Sequence, residues 1–342
     1  MKVTGFYELD NRLEDLGSLK GTLPLLAEII PWESFRAELQ PLRKEHDAHV
    51  GGRPAFDVVM MFKALVIGVM YNLSDEELEY QIKDRISFMQ FLGLDIGDRI
   101  PDARTFWLFR NLMTRKKLAE KLFGAFRDIL EARGYRARGG QIVDATIVEV
   151  PKQRNTRDEN KAIKDGKGAP EDWPKAKRRQ KDVDARWCRK RGRNFFGYKD
   201  HVVVDAESKL IRNFKITSAE VHDSKVFEDI LVGNESPGVY ADSAYSSREH
   251  RKRLSASGHE PRLIARAARH RRLNEAEKEE NRRISHVRCR IEHVFGNILS
   301  KAKTAAIRCI GLARATTILA LRNLTYNFNR FIVLENMKNQ MS

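Results

Sequence analysis

The sequence predicts an α/β protein: a mixed sheet with flanking helices, preceded by an all-α N-terminal domain. Three observations predict it. Apolar residues recur every three or four positions from Pro54 to about residue 133. That period is lost at Gly139-Gly140, after which short runs rich in Ile and Val begin. Those runs then follow the order strand, strand, strand, helix, strand, helix, strand, helix, the pattern of a mixed sheet covered by helices.

The elements follow in order. Residues 1–50 form a segment without an evident role, holding one short helical stretch, Leu23–Pro31, between prolines. Residues 51–135 form a helical domain. Its first stripe is Phe56, Val59, Met60, Phe62, Lys63, Val66, Ile67 and Met70. Ser74-Asp75-Glu76-Glu77 is a capping box that starts the next helix, and Pro101-Asp102-Ala103-Arg104-Thr105 starts another. The arrangement admits a helix-turn-helix. Residues 136–335 form the sheet domain, with a basic insert at 152–193. Its strands are Gln141–Val150, Phe195–Val204, Leu210–Thr217, Gly238–Ala241 and Pro261–Ala265. Helices are expected at Ser224–Val232, Ser246–Ser257, Asn274–Leu299 and Leu312–Ile332.

Composition removes several function classes. With 342 residues, of which 42 % are hydrophobic, the chain can bury a core without staples. Cys188, Cys289 and Cys309 are too far apart for a structural zinc site or a disulfide framework, which points to a reduced cytoplasmic protein. No secretory leader and no run of about 18 apolar residues is evident, so no membrane role is expected. The net charge of +16 is held in two blocks. Lys152–Arg193 carries 16 basic and 7 acidic residues, and Arg248–Arg290 carries 14 and 6. Such blocks suit a polyphosphate backbone, although a charge run is also an ordinary solvated surface.

Three acidic residues stand in telling places. Asp144 ends the apolar run Gln141-Ile142-Val143, Asp242 ends Val239-Tyr240-Ala241, and Glu292 lies in the helical stretch Arg288–Phe295. A carboxylate at a buried strand end needs a positive partner, because desolvation disfavours its ionised form. Convergent carboxylates suit hard cations such as Mg²⁺ or Mn²⁺, and two such ions suit phosphodiester chemistry. Each residue also has a structural reading: a turn carboxylate for Asp144, a cap for Asp242, and an i, i+4 partner of Arg288 for Glu292. Lys199 and His201 are candidate phosphate contacts on a strand. His222-Asp223 is a candidate cap. Trp173 and Trp187 are candidates either to stack on unpaired bases or to anchor the insert.

Four ordered segments carry a resemblance. Asp144-Ala145-Thr146, Gly197-Tyr198-Lys199-Asp200-His201, Ala241-Asp242-Ser243-Ala244-Tyr245 and Arg288-Cys289-Arg290-Ile291-Glu292-His293-Val294-Phe295 resemble the signatures of bacterial insertion-sequence DDE transposases of the insertion-sequence-five type (InsH-like). Gly52–Phe56 and Ile100–Phe106 resemble the helical domain that precedes that core. The resemblance implies a ribonuclease-H-like catalytic domain with Asp144, Asp242 and Glu292 as metal ligands for two Mg²⁺ or Mn²⁺ ions. It also implies cleavage at terminal inverted repeats and transfer of 3′-OH ends to target DNA. Double-stranded DNA, a homodimer in the synaptic complex, and a nucleoid-associated location follow from it. In the related Tyr-x2-Arg-x3-Glu-x6-Lys pattern, Arg288 and Glu292 fit, but Ser285 and Leu299 replace Tyr and Lys. Lys301 or Lys303 then substitutes for the lysine as a DNA contact, beside Arg288. The rival readings are a non-catalytic helix-turn-helix regulator and a metal-dependent nuclease without strand transfer. Tyrosine recombination is least favoured, because Tyr245 and Tyr326 lack an Arg/His cluster.

Overall fold

A computed structural model describes residues 11, 14–15, 21–42, 54–166, 168–267, 271–302 and 306–341, with the backbone alone at 301–302 and 341. The chain divides into two compact units, Met1–Ala125 with Leu324–Ser342, and Phe126–Asn323.

The helical unit contains α1 (Thr22–Ile29), a 3-10 turn at Trp32–Phe35, α2 (Arg36–Leu39), α3 (Val58–Met70), α4 (Asp75–Asp84), α5 (Ile86–Leu92) and α6 (Ala103–Arg115). Caps set the starts: Asp57 accepts from Val59 and Met60, Ser74 from Glu77 and Asp102 from Thr105. After α6 the chain breaks at Lys117, whose φ of 51° is left-handed, and α7 (Leu118–Ala132) begins. The expected stripe from Phe106 to Phe126 is therefore shared by two helices. Residues 1–50 carry no evident role in the sequence, yet Trp32 and Phe35 are buried in this unit. Their rings meet Phe62 and Phe328 edge-on, Trp32 also meets Phe91, and the indole donates to Leu26 O at 2.8 Å.

The second unit is built on a six-stranded mixed sheet: β1 (Gln141–Glu149), β2 (Arg186–Lys190), β3 (Arg193–Asp205), β4 (Ile211–Ser218), β5 (Gly238–Ala241) and β6 (Glu260–Leu263). The order is β2-β3-β1-β5-β6, with β4 also paired to β3. β1 runs antiparallel to β3 and parallel to β5, and β5 runs parallel to β6. The expected mixed sheet with flanking helices, after a helical N-terminal region, is the observed architecture. Entry to β1 needs two glycines: Gly140 has φ of 85°, and a Cβ on Gly139 would meet Glu207 N at 2.4 Å. Side-chain alternation then sends Val143 into one core cluster with Val203, Phe227, Val239 and Tyr245. Val148 enters another with Tyr198, Phe196, Ile216 and Leu319.

Helices α8 (Arg157–Lys164) and α9 (Lys175–Gln180) lie in the basic insert. α10 (Arg248–Ala256) links β5 to β6, and α11 (Glu275–Ala302) follows, capped by Asn274. α12 (Leu312–Met341) runs past the expected end at Ile332. One expected helix is absent: Ser224–Val232 is a 3-10 turn at Asp223–Lys225 followed by turns. Side chains from the sheet take its backbone groups instead. Asn213 donates to Ile230 O at 2.8 Å, and Gln141 Oε1 accepts from Val232 N at 3.0 Å.

Asp200 on β3 is 4 % exposed, and Asn323 of α12 donates to both its oxygens, at 3.3 and 3.1 Å. Burial is the main influence on this carboxyl and pushes its pKa from 3.8 up to about 7; Asn323 and the charge of Arg322 oppose the rise. The folded chain therefore holds a proton that the unfolded chain has lost. Stability falls as pH rises from about 4 towards 7, by up to about 1.4 kcal/mol per pH unit. Asp200→Asn is expected to flatten this decline in urea unfolding between pH 4 and 8. An unchanged profile would remove the assignment.

Candidate active site

Asp144 follows an apolar run in the sequence; the structure puts it inside β1, which continues to Glu149 because Ala145 and Val148 are also buried. Asp242 directly follows β5. The parallel register pairs Gln141 with Val239 and Ile142 with Tyr240. Two residues further along each chain come Asp144 and Asp242, so the sheet brings them alongside each other, with neighbouring strands about 4.8 Å apart. Asp242 Oδ1 accepts from Ala244 N at 2.8 Å, capping the 3-10 turn Ser243–Tyr245, as one of the two sequence readings expected. Asp144 Oδ1 accepts from Ala145 N at 2.8 Å, and its Oδ2 accepts from Arg288 Nη2 on α11 at 3.3 Å.

Burial raises the pKa of Asp144, and the negative charge of Asp242 raises it further. Arg288, the Ala145 N–H and the charge of Lys190 pull it down. The pair is thus under-neutralised: its nearest cation makes one long contact, and Arg288 Nε is itself buried without a hydrogen-bond partner. Tyr245 lies close by, 1 % exposed, and its hydroxyl has no hydrogen-bond partner. Burial chiefly raises its pKa, with Asp223, Asp144 and Asp242 adding to the rise. A buried phenol of this kind is not a nucleophile.

Glu292 is exposed on α11, one turn beyond Arg288, while Ile291 and Val294 face the core. Among the described residues, no three His, Cys, Asp or Glu side chains stand close enough to hold a metal ion together. The structure therefore brings Asp144 and Asp242 together and leaves Glu292 on the same helix stripe as Arg288, outside the pair. The residues fit a divalent cation in that two adjacent carboxylates, Asp144 the more buried, face little positive charge.

The remaining candidates separate by burial. His201 is 0 % exposed, with Nε2 2.9 Å from Thr217 Oγ1, so it presents no surface to a phosphate. The sheet is covered on both sides at this point, which strand alternation alone does not disclose. Lys199 Nζ is engaged by Val221 O at 2.7 Å and Asp223 Oδ1 at 2.8 Å. His222, rather than Asp223, caps the turn, its Nδ1 accepting from Ser224 N at 3.3 Å. Trp173 is 4 % exposed and donates from its indole to Glu159, so it anchors the insert. Trp187 is 48 % exposed on β2 and rests on Phe196 at 5.2 Å. The side chain of Lys301, and Lys303, lie outside the described residues. Sequence reasoning placed Tyr245 in the segment that holds Asp242 and Lys190 in the basic insert, but gave neither a part beside the aspartates.

Two family models match the chain. One, described as the transposase DDE domain, covers residues 135–328, and the other, described as a transposase domain (DUF772), covers residues 11–112. A cryo-EM structure of the piggyBac transposase synaptic complex with hairpin DNA is similar at a TM-score of 0.45 and 11% identity, over 92% of this chain and 74% of that one. Among the described residues, no single helix is long and apolar enough to cross a membrane.

Burial holds the His201 ring well below its usual pKa, at about 4, against the opposing charge of Asp223; Lys199 and Lys215 also lower it. Its contribution to stability is present above pH 6.5 and is lost as pH falls from there towards 4. His201→Gln is expected to remove that acid-side loss and to cost about 1–3 kcal/mol at pH 7.5. DNA affinity, measured by fluorescence anisotropy, is expected to stay within about twofold of wild type, because a buried ring makes no phosphate contact. A large affinity loss in a folded variant would restore the phosphate role.

Proposed function

This chain belongs to the DDE transposase family and is a DNA transposase, and we propose that it cuts at the terminal inverted repeats of an insertion sequence and joins the freed 3′-OH ends to target DNA. The observation that carries this reading is the juxtaposition of Asp144 and Asp242 on adjacent parallel strands, short of positive charge. Membership of the family implies dependence on a divalent metal. Asp144 and Asp242 would hold divalent Mg²⁺ or Mn²⁺, two ions by the resemblance, with Glu292, which stands outside the pair here, as the third ligand that the resemblance implies. When bound, such ions supply Lewis-acid activation of a water or hydroxyl and stabilise the leaving oxygen.

The chain's own residues do the rest. Asp144 is pre-set for a cation by its strand position and by the Ala145 N–H. Arg288 neutralises Asp144 in the free protein and stands ready to take a DNA phosphate, as its place in the resemblance implies. Trp187 offers an exposed aromatic face to a base. The helical domain expected over residues 51–135, with a helix-turn-helix character, reads the terminal repeats, and a homodimer holds two ends together at the nucleoid.

Asp242→Asn removes one member of the pair and keeps its side-chain shape. Nicking and joining of an end-containing duplex with Mg²⁺ are expected to drop by about two orders of magnitude or more, with DNA affinity nearly unchanged. Retained joining would overturn the site assignment. Wild-type protein that nicks but never joins would instead favour a nuclease.

A further inference from the structure

The basic insert uses its charge unevenly. Several of its cations are engaged internally: Lys177 with Glu159, Arg186 with Glu220, Arg178 with the carbonyls of Pro170, Glu171 and Trp173, and Lys181 with the carbonyl of Arg154. At the tip of the β2–β3 hairpin, Arg189, Lys190, Arg191 and Arg193 are all exposed and make no ion pair among the described residues.

Two features of that tip are unfavourable for the hairpin itself. Lys190 and Arg193 are direct cross-strand partners, and like charges directly opposite destabilise a strand pair. The two turn residues, Arg191 with φ of 49° and Gly192 with φ of 79°, are both left-handed, as a tight two-residue hairpin turn requires. Asparagine or glycine suits the first of these positions, whereas arginine is strained there. Both features put positive charge at the apex at the expense of local stability, and the repulsion between Lys190 and Arg193 is relieved once anions lie against it.

We propose that the tip of the β2–β3 hairpin is a clip for the DNA phosphate backbone, with Arg191 at its apex and Lys190 and Arg193 on its flanks. The clip rests on the transposase reading above and adds to it a defined backbone contact. Trp187, two residues before Arg189 and on the same face of the strand, extends the contact surface from phosphate to base.

The test uses the full chain and an end-containing duplex, with Kd measured by fluorescence anisotropy from 50 to 200 mM salt. Lys190→Gln/Arg191→Asn/Arg193→Gln is expected to make the slope of log Kobs against log salt shallower by about 2–3, and Arg191→Asn alone by about 0.9. Both variants relieve the tip, so their melting temperatures should equal or exceed that of wild type. A charge-matched control on the rest of the insert, Lys161→Gln/Lys175→Gln/Arg179→Gln, is expected to change the slope by less than about one unit. Slopes unchanged in the tip variants, or an equal change in the control, would overturn the clip while leaving the transposase reading intact. Wild-type binding with no salt dependence would overturn both.

Discussion

Two carboxylates held alongside each other by a parallel strand pair are the constraint around which this catalytic unit is built. The β1–β5 register, paired through Ile142 and Tyr240, carries Asp144 and Asp242 forward side by side. Like charges at that spacing, one of them largely shielded from water, are costly unless a cation is near. The surroundings answer that need in part. α11 packs on the sheet through Ile291 and Val294 and thereby delivers Arg288 to Asp144. Lys190 adds its field from the hairpin. What remains is a residual demand for positive charge at a fixed place, which is how a fold stores affinity for a metal before the metal arrives.

Much of the fold was legible because local signals agreed with the final packing. Ser74, Asp102 and Asn274 each cap the helix they announced. The strands around Gly139-Gly140 followed from Ile and Val runs that bury both faces. Failure came where tertiary contacts replaced local ones. Val226, Phe227 and Ile230 looked helical, yet Gln141 and Asn213 claim the backbone between them and the core takes their side chains. Strand β2 was hidden because Arg186-Trp187-Cys188-Arg189-Lys190 reads as a charge run, and only its partner Arg193–Gly197 makes it a strand.

The site was legible to the same degree. An aspartate after an apolar run was a sound signal for Asp242 and, with its strand position corrected, for Asp144. The face of a strand was not readable: Lys199 and His201 alternate on one face of a largely buried strand, where one is paired and the other enclosed. Trp173 and Trp187 carry the same sequence signal in one basic insert, and only burial separates the anchor from the open ring. Glu292 shows the remaining distance between pattern and geometry. Its helix stripe is right, and its carboxylate is in solvent.

The central claim is that the Asp144–Asp242 pair is a cation site. Mn²⁺ binding to the full chain, followed by the loss of the free-ion EPR signal, tests it without any turnover. Wild-type protein should take up Mn²⁺, and the Asp144→Asn/Asp242→Asn double variant should leave the ion free. Equal uptake by a folded double variant would contradict the account.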